Sequence, residues 1–181
     1  MKMNEKGMKS FIHDPLSLND NFSKCNVRSK IIAISGGFDP VHVGHVKMID
    51  EAAKHGEVVV IVNSDEWLRR KKGFVFMPFE ERLVIMASLK GVLNVVGVDD
   101  SDETVCKALR KLEPDMFGNG GDRTQENTPE QKVCEELGIE IVFNLGGEKI
   151  QSSSDLFANS IKNRWLNPRQ EQYLANYGLD F

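Results

Sequence analysis

Gly36-Gly37-Phe38-Asp39-Pro40-Val41-His42-Val43-Gly44-His45 follows an apolar run, Ile31-Ile32-Ala33-Ile34, and leads into an amphipathic stretch. The order is strand, glycine turn, helix start. A glycine pair after a strand allows the backbone to turn with positive φ and lets a polyanion approach without meeting a Cβ. His42 and His45 are three residues apart, so one helix face presents both imidazoles beside the unpaired amides of the first turn. Those amides, with the positive end of the helix dipole, attract anions. Imidazoles held there donate hydrogen bonds to phosphate oxygens where charge builds up in a transition state. The stretch therefore reads as a nucleoside triphosphate site.

Blander readings exist for each part. Two histidines at this spacing occur as metal ligands, but His13 and His55 are isolated and no cysteine lies in ligand spacing, so no protein metal site is expected. Gly-Gly by itself is only a tight turn. The ten residues in their strand-turn-helix setting are far more specific. They match neither the dinucleotide fingerprint, whose further glycines are missing, nor a Walker loop, whose Gly-Lys-Ser/Thr is missing.

Outward from this stretch, strands and helices alternate. Glu57-Val58-Val59-Val60-Ile61-Val62 is a continuous β-branched run of the kind buried on both faces of a parallel sheet. The helix before it, from about Gly44 to His55, places Val46, Ile49 and Ala53 on one face and ends at Gly56. Further helices are expected from Pro78 to Lys90, Asp102 to Leu112, Thr128 to Leu137 and Leu156 to Trp165. Thr128-Pro129 suits a helix start, with Thr as cap and Pro at the first helical position. Strands are expected at Asn94 to Val98, Asp115 to Phe117 and Ile139 to Phe143. Such alternation predicts an α/β, Rossmann-like three-layer fold: a five-stranded parallel sheet with helices on both faces and ligands at the carboxyl ends of the strands.

The 181 residues suit one main domain at 30–165, with a polar N-terminal extension at 1–29 and a C-terminal tail at 166–181. A net charge of −4 gives no basic surplus for a nucleic-acid partner. Basic residues cluster only at Arg69-Arg70-Lys71-Lys72, which suits a small anion or a solvated loop. Cys25, Cys106 and Cys134 are widely spaced, as in a reduced cytoplasmic protein. Neither a secretory signal nor a stretch long enough to span a bilayer is evident, so no membrane insertion is expected.

Four more segments fall at strand ends. Asn63-Ser64-Asp65 serves as a helix cap or places polar groups near substrate. Lys72-Gly73, before a helix carrying Arg82, forms a mobile basic loop able to cover a triphosphate and exclude water. Gly118-Asn119-Gly120-Gly121-Asp122-Arg123 brings backbone close to a partner or turns sharply. Ser152-Ser153-Ser154, at the start of the last helix, is a cap or a second anion cradle.

Taken together, these residues resemble the HxGH nucleotidyltransferases, whose cytidylyltransferase-like members carry G-x-F-D-x-x-H-x-G-H near the N-terminus. The resemblance covers roughly residues 30 to 165. It implies transfer of a nucleoside monophosphate from ATP or CTP, with Mg²⁺, to a phosphorylated acceptor. By resemblance, His42 and His45 face the α-phosphate, while Lys72 and Ser152 to Ser154 face the leaving pyrophosphate. Gly36, Gly37, Phe38, Asp39 and Gly44 complete the nucleotide turn, and Asn63 and Asp65 lie near substrate. Arg82 is carried over as a phosphate or acceptor contact, with a structural ion-pair role as the alternative. Gly121 and Asp122, with Arg123, lie against base and ribose. Ser152 and Ser154 fit the family's I-S-x-T/S-x-I signature, and Gln151 varies from it.

The order Val-Asn-Ser-Asp, Lys-Gly, Pro-Phe-Glu-Glu-Arg, Asp-Asp-Ser-Asp-Glu-Thr and Gly-Gly-Asp is most similar to the heptose 1-phosphate adenylyltransferase branch. The glycerol-phosphate and choline-phosphate cytidylyltransferases instead carry Arg-Tyr-Val-Asp where this chain has Lys90-Gly91-Val92-Leu93. At Gly118-Asn119 the chain also lacks the lysine that the heptose branch often has before Gly-Gly-Asp. The expected reaction is thus nucleotidyl transfer to a phosphorylated sugar or polyol. The alternatives are a CTP-dependent enzyme acting on glycerol 3-phosphate or an amino-alcohol phosphate, and a non-catalytic nucleotide-binding sensor. Resembling enzymes are often dimers, so a homodimer is expected.

Overall fold

The computed structural model describes residues 29–120, 123–124, 128–147 and 151–162, together with 169, 172 and 176. The N-terminal extension up to residue 28, most of the C-terminal tail, and Gly121 and Asp122 lie outside the described residues.

The five expected strands form one parallel sheet: β1 (Ile31–Gly36), β2 (Glu57–Val62), β3 (Val92–Gly97), β4 (Met116–Gly120) and β5 (Glu140–Leu145). Their spatial order is β3-β2-β1-β4-β5. Val58 to Val62 are at most 1% exposed, as a β-branched run covered on both faces must be. Ile32, Ile34, Val58, Val60 and Val62 meet helices α1 (Val43–Ala52) and α3 (Phe79–Ala87) on one face. Ala33, Val59, Ile61 and Phe117 meet α4 (Cys106–Leu112) and α5 (Gln131–Leu137) on the other. Helix α2 (Asp65–Lys72) follows β2, and α6 (Ser153–Lys162) follows β5.

The chain runs outward from β1 to β3, then returns to the other side of β1 as β4. The crossovers therefore change faces between β1 and β4, and at such a switch point the carboxyl ends of adjacent strands part to leave a crevice.

Several boundaries differ from the sequence expectation, each for a local reason. Helix α1 ends at Ala52, not Gly56; a Cβ on Gly56 would lie 2.3 Å from the Lys30 carbonyl oxygen, so that glycine serves strand approach. Asp102 accepts hydrogen bonds from the Thr104 amide (3.1 Å) and hydroxyl (3.0 Å), a side-chain turn that delays α4 until Cys106. Thr128 is not the cap of α5: its hydroxyl donates to the Thr124 carbonyl at 2.7 Å, a turn intervenes, and the helix starts at Gln131. Strand β4 continues through Gly118, Asn119 and Gly120, which the sequence suggests as loop. A Cβ on Gly118 would meet Leu145 Cδ1 at 2.4 Å and Ile34 Cγ2 at 3.0 Å, so tight packing beside β1 and β5 selects glycine within the sheet.

Candidate active site

The turn after β1 is built differently from the simplest expectation. Positive φ falls on Phe38 (50°), not on Gly36 or Gly37. The Phe38 ring folds back under the turn, 1% exposed, and a Cβ on Gly36 would sit 3.1 Å from it. A Cβ on Gly37 would meet Leu68 Cδ2 at 2.7 Å. The glycine pair thus makes room for protein side chains beneath the cleft, while the two glycines themselves line it.

His42 is the N-cap of α1, with extended backbone (φ −144°, ψ 173°). Its Nδ1 accepts the Gly44 amide at 3.1 Å, and His45 Nδ1 accepts the His42 amide at 3.2 Å. The imidazoles therefore form a reciprocal capping box in place of the usual Ser/Thr and Glu. They consume two of the first-turn amides that were expected to face an anion. They also stack, with ring centroids 3.8 Å apart, and His45 meets the edge of Phe38 at 4.9 Å. A Cβ on Gly44 would lie 2.9 Å from His42 Cε1, which explains the glycine between the histidines. Burial, then the neighbouring His42, lowers the His45 pKa from 6.5 to about 3, so this ring is neutral. With Nδ1 accepting, the neutral ring carries its proton on Nε2, leaving an uncharged donor.

The last helix closes on this turn. Ser153 Oγ donates to the Pro40 carbonyl at 2.9 Å, and Phe157 packs against Phe74 with centroids 4.2 Å apart. Ser152 is a helix cap as well, its hydroxyl accepting the Asp155 amide at 3.0 Å and donating to the Asp155 carboxylate at 2.6 Å. A cleft of about 570 Å³ opens at the switch point. His42, His45, Gly44 and Ser152 to Ser154 all line it, although more than a hundred residues separate the two groups. Gly118, Asn119, Gly120 and Arg123 line its β4 side, and Asn63, Trp67, Lys71 and Lys72 its β2 side.

A family profile described as cytidylyltransferase-like matches residues 33–155, a span that contains both the histidine pair and the serine trio. The chain belongs to the cytidylyltransferase-like family. Among its relatives, the bifunctional protein HldE of Hahella chejuensis is 37% identical over 122 residues, covering 66% of this chain and 24% of that protein. HldE of Geobacter metallireducens is 34% identical over 131 residues, covering 70% and 26%. The chain spans about a quarter of the length of these relatives. The crystal structure of the lipopolysaccharide core biosynthesis protein from Thermoplasma volcanium superposes with a TM-score of 0.56 at 26% identity, covering 65% of this chain and 95% of that one. A bifunctional NMN adenylyltransferase/ADP ribose pyrophosphatase from Francisella tularensis shares the fold, with a TM-score of 0.52 at 14% identity over 79% of this chain and 44% of that one.

In this cytidylyltransferase-like chain, some expected contacts are turned inward. Arg82 is fully buried and does not line the cleft. Its guanidinium donates to the carbonyls of Met77 (3.0 Å), Gly37 (2.7 Å) and Asn63 (2.8 Å) and to the Asp65 carboxylate (2.6 Å). Of the two readings, the structural one fits this environment: one planar cation ties the ends of β1 and β2 to α3. Asp65, as its partner, does not line the cleft either. Asp39 is 1% exposed and accepts the amides of Phe76 (2.9 Å) and Met77 (2.6 Å) and the Lys72 ammonium (2.8 Å). Lys72 also donates to the Asp39 carbonyl. The loop after α2, expected to be mobile, is thereby fastened to the nucleotide turn, and Lys72 reaches the cleft wall with its charge already paired.

Asn63 lines the cleft but donates to Asp100 at 3.1 Å, and Ser64 gives Asp100 both its amide (2.8 Å) and hydroxyl (2.6 Å). Ser64 also caps α2, accepting the Trp67 amide at 3.0 Å. Asp100 was not singled out from sequence, although it stands just beyond β3, at a strand's carboxyl end where this fold places functional groups. Trp67, Asn119 and Glu130 were likewise given no role, yet all three line the cleft.

Proposed function

We propose that this domain transfers a nucleoside monophosphate from ATP, or from CTP, to a phosphate group on a sugar or polyol, releasing pyrophosphate. The observation that carries this reading is the meeting of two stacked, Nδ1-capped imidazoles and three serines in one cleft at the switch point. The motif order that resembles the heptose 1-phosphate adenylyltransferase branch, together with similarity to the HldE proteins, favours a sugar phosphate acceptor and ATP.

An acceptor phosphate oxygen attacks the α-phosphorus in line, the bond to the bridging oxygen breaks, and pyrophosphate leaves. The acceptor phosphate is ionised at neutral pH and needs no general base. His42 and His45 donate through Nε2 to the oxygens that gain charge at the α-phosphorus, and the start of α6, whose Ser152 and Ser153 hydroxyls are already given to Asp155 and Pro40, holds the departing phosphates through its first-turn amides and Ser154. Lys72 positions the turn through Asp39, and Gly121, Asp122 and Arg123 complete the nucleoside side. Among the described residues no group of three or more His, Cys, Asp or Glu is placed to hold a metal ion. Mg²⁺ brought with the triphosphate would neutralise phosphate charge.

The test is pyrophosphate release in the presence of Mg²⁺, each triphosphate and a panel of phosphorylated sugars, polyols and amino alcohols. Release with ATP and a sugar phosphate is the expected result. Triphosphate binding without release from any acceptor would favour the sensor reading.

A further inference from the structure

Trp67 and Lys71 stand one turn apart on α2, and both line the cleft. The helix start fixes the position of the indole: the Trp67 amide donates to the Ser64 hydroxyl at 3.0 Å, and that hydroxyl is itself bonded to Asp100 at 2.6 Å. The indole edge abuts the nucleotide turn, where a Cβ on Gly37 would lie 3.4 Å from Trp67 Cζ3. The Lys71 ammonium stands over the indole, 4.3 Å from the ring centroid. Other aromatic rings at the cleft are committed elsewhere, since Phe38 is 1% exposed and the two imidazoles stack on each other. Among the described residues, the half-buried indole is thus the aromatic surface that the cleft offers to a ligand.

The face of an aromatic ring carries partial negative charge and attracts positive groups, an ammonium or polarised C–H bonds alike. A ligand suited to this wall therefore brings C–H groups for the indole and, close beside them, an anion for the ammonium. A phosphate attached directly to a sugar ring has both in one unit. In a nucleotide the ribose separates the base from the phosphates, and in glycerol 3-phosphate the anion comes without a ring. We propose that Trp67 is a specificity-determining residue for the acceptor: its indole packs against the ring of a cyclic sugar phosphate whose phosphate is drawn to Lys71. The inference rests on the proposed transfer to a sugar phosphate and narrows it, and its test separates the two.

Initial rates of pyrophosphate release by the full chain are measured with ATP, Mg²⁺ and a panel of pyranose phosphates, beside glycerol 3-phosphate. The wild type is expected to show its highest kcat/KM with a pyranose phosphate. Trp67→Leu keeps an apolar side chain but no aromatic face, so KM for that sugar phosphate should rise about tenfold, with kcat and the affinity for ATP alone within about twofold. Trp67→Met should behave in the same way and serves if the leucine variant does not fold. Trp67→Phe should regain most of the loss, a rescue that a merely space-filling side chain would not give. Lys71→Gln, at an exposed side chain, should raise KM for the sugar phosphate and for glycerol 3-phosphate alike. An unchanged KM in the leucine and methionine variants, no recovery with phenylalanine, or a wild type that prefers glycerol 3-phosphate overturns the role of Trp67 while leaving nucleotidyl transfer standing. Weaker ATP binding with an unchanged KM for the acceptor would place the indole against the nucleobase and overturns it as well. Pyrophosphate release with none of the acceptors overturns both readings.

Discussion

His42 and His45 cap the same helix start: His42 Nδ1 accepts the Gly44 amide, His45 Nδ1 accepts the amide of the capping residue His42, and the two rings stack with centroids 3.8 Å apart. The same contact that builds the start of α1 fixes which nitrogen of the neutral ring keeps its proton. Folding and chemistry are thereby placed on opposite edges of one side chain.

This division can be separated by substitution. Asparagine offers an oxygen near the Nδ1 position and is among the best N-caps, whereas alanine offers nothing. His42→Asn is therefore expected to unfold within about 0.5 kcal/mol of wild type, and His42→Ala to lose about 1 kcal/mol. Both should lower kcat by about a hundredfold or more, since neither supplies the Nε2 donor. Urea titration beside initial-rate measurements checks this. An asparagine variant with full kcat would remove the imidazole from the chemistry.

The His45 environment predicts acid sensitivity. Its pKa is about 3 in the folded chain against 6.5 for an ordinary histidine, so the unfolded chain binds the proton first as pH falls. The neutral ring's contribution is fully present above about pH 6.5 and is lost as pH drops toward 3, at up to about 1.4 kcal/mol per pH unit. The unfolding free energy of wild type minus that of His45→Asn, measured at pH 7 and pH 5, should shrink at the lower pH. A difference independent of pH would mean that the ring is not held neutral.

What the sequence makes legible is the part encoded locally. Glu57 to Val62 can only be an inner strand, and the histidine and serine groups each mark the start of a helix, so fold and cleft follow from short stretches. Arg82 is opaque for the opposite reason: its burial is decided by carbonyls of Gly37 and Asn63, 45 and 19 residues earlier, which no periodicity reveals. The same holds for Gly118 to Gly120, where pairing with β1 and β5 overrides poor strand propensity. That the buried Asn119 amide nitrogen has no partner among the described residues is likewise a property of surroundings, not of pattern.

Arg82 should behave as a keystone of stability. Arg82→Ala leaves three carbonyls and the Asp65 carboxylate without their cation, a loss expected to cost about 3–5 kcal/mol. Arg82→Lys keeps the charge but not the planar fork, so it should recover only part of that. Denaturant midpoints in the order wild type, lysine, alanine would bear this out. An alanine variant as stable as wild type, with a raised KM for the acceptor, would return Arg82 to the substrate.

Lys72 and Asp39 should prove energetically coupled. The pair is 10% and 0% exposed on its side chains, so solvent screens it little, and removing either partner strands the other in a dry site. Lys72→Met alone leaves the Asp39 carboxylate with the Phe76 and Met77 amides but no cation. Asp39→Asn alone leaves the ammonium without its counter-charge, beside neutral acceptors and the Phe74 ring, 4.9 Å away. The double variant should therefore be less destabilised than the sum of the singles, with a coupling of about 1–3 kcal/mol. Each single variant should also expose the Gly73 to Met77 loop to protease faster than wild type, because the carboxylate that holds its amides loses its ordered position. Strict additivity with an unchanged cleavage rate, together with a kcat loss confined to Lys72→Met, would instead assign the ammonium to the departing pyrophosphate.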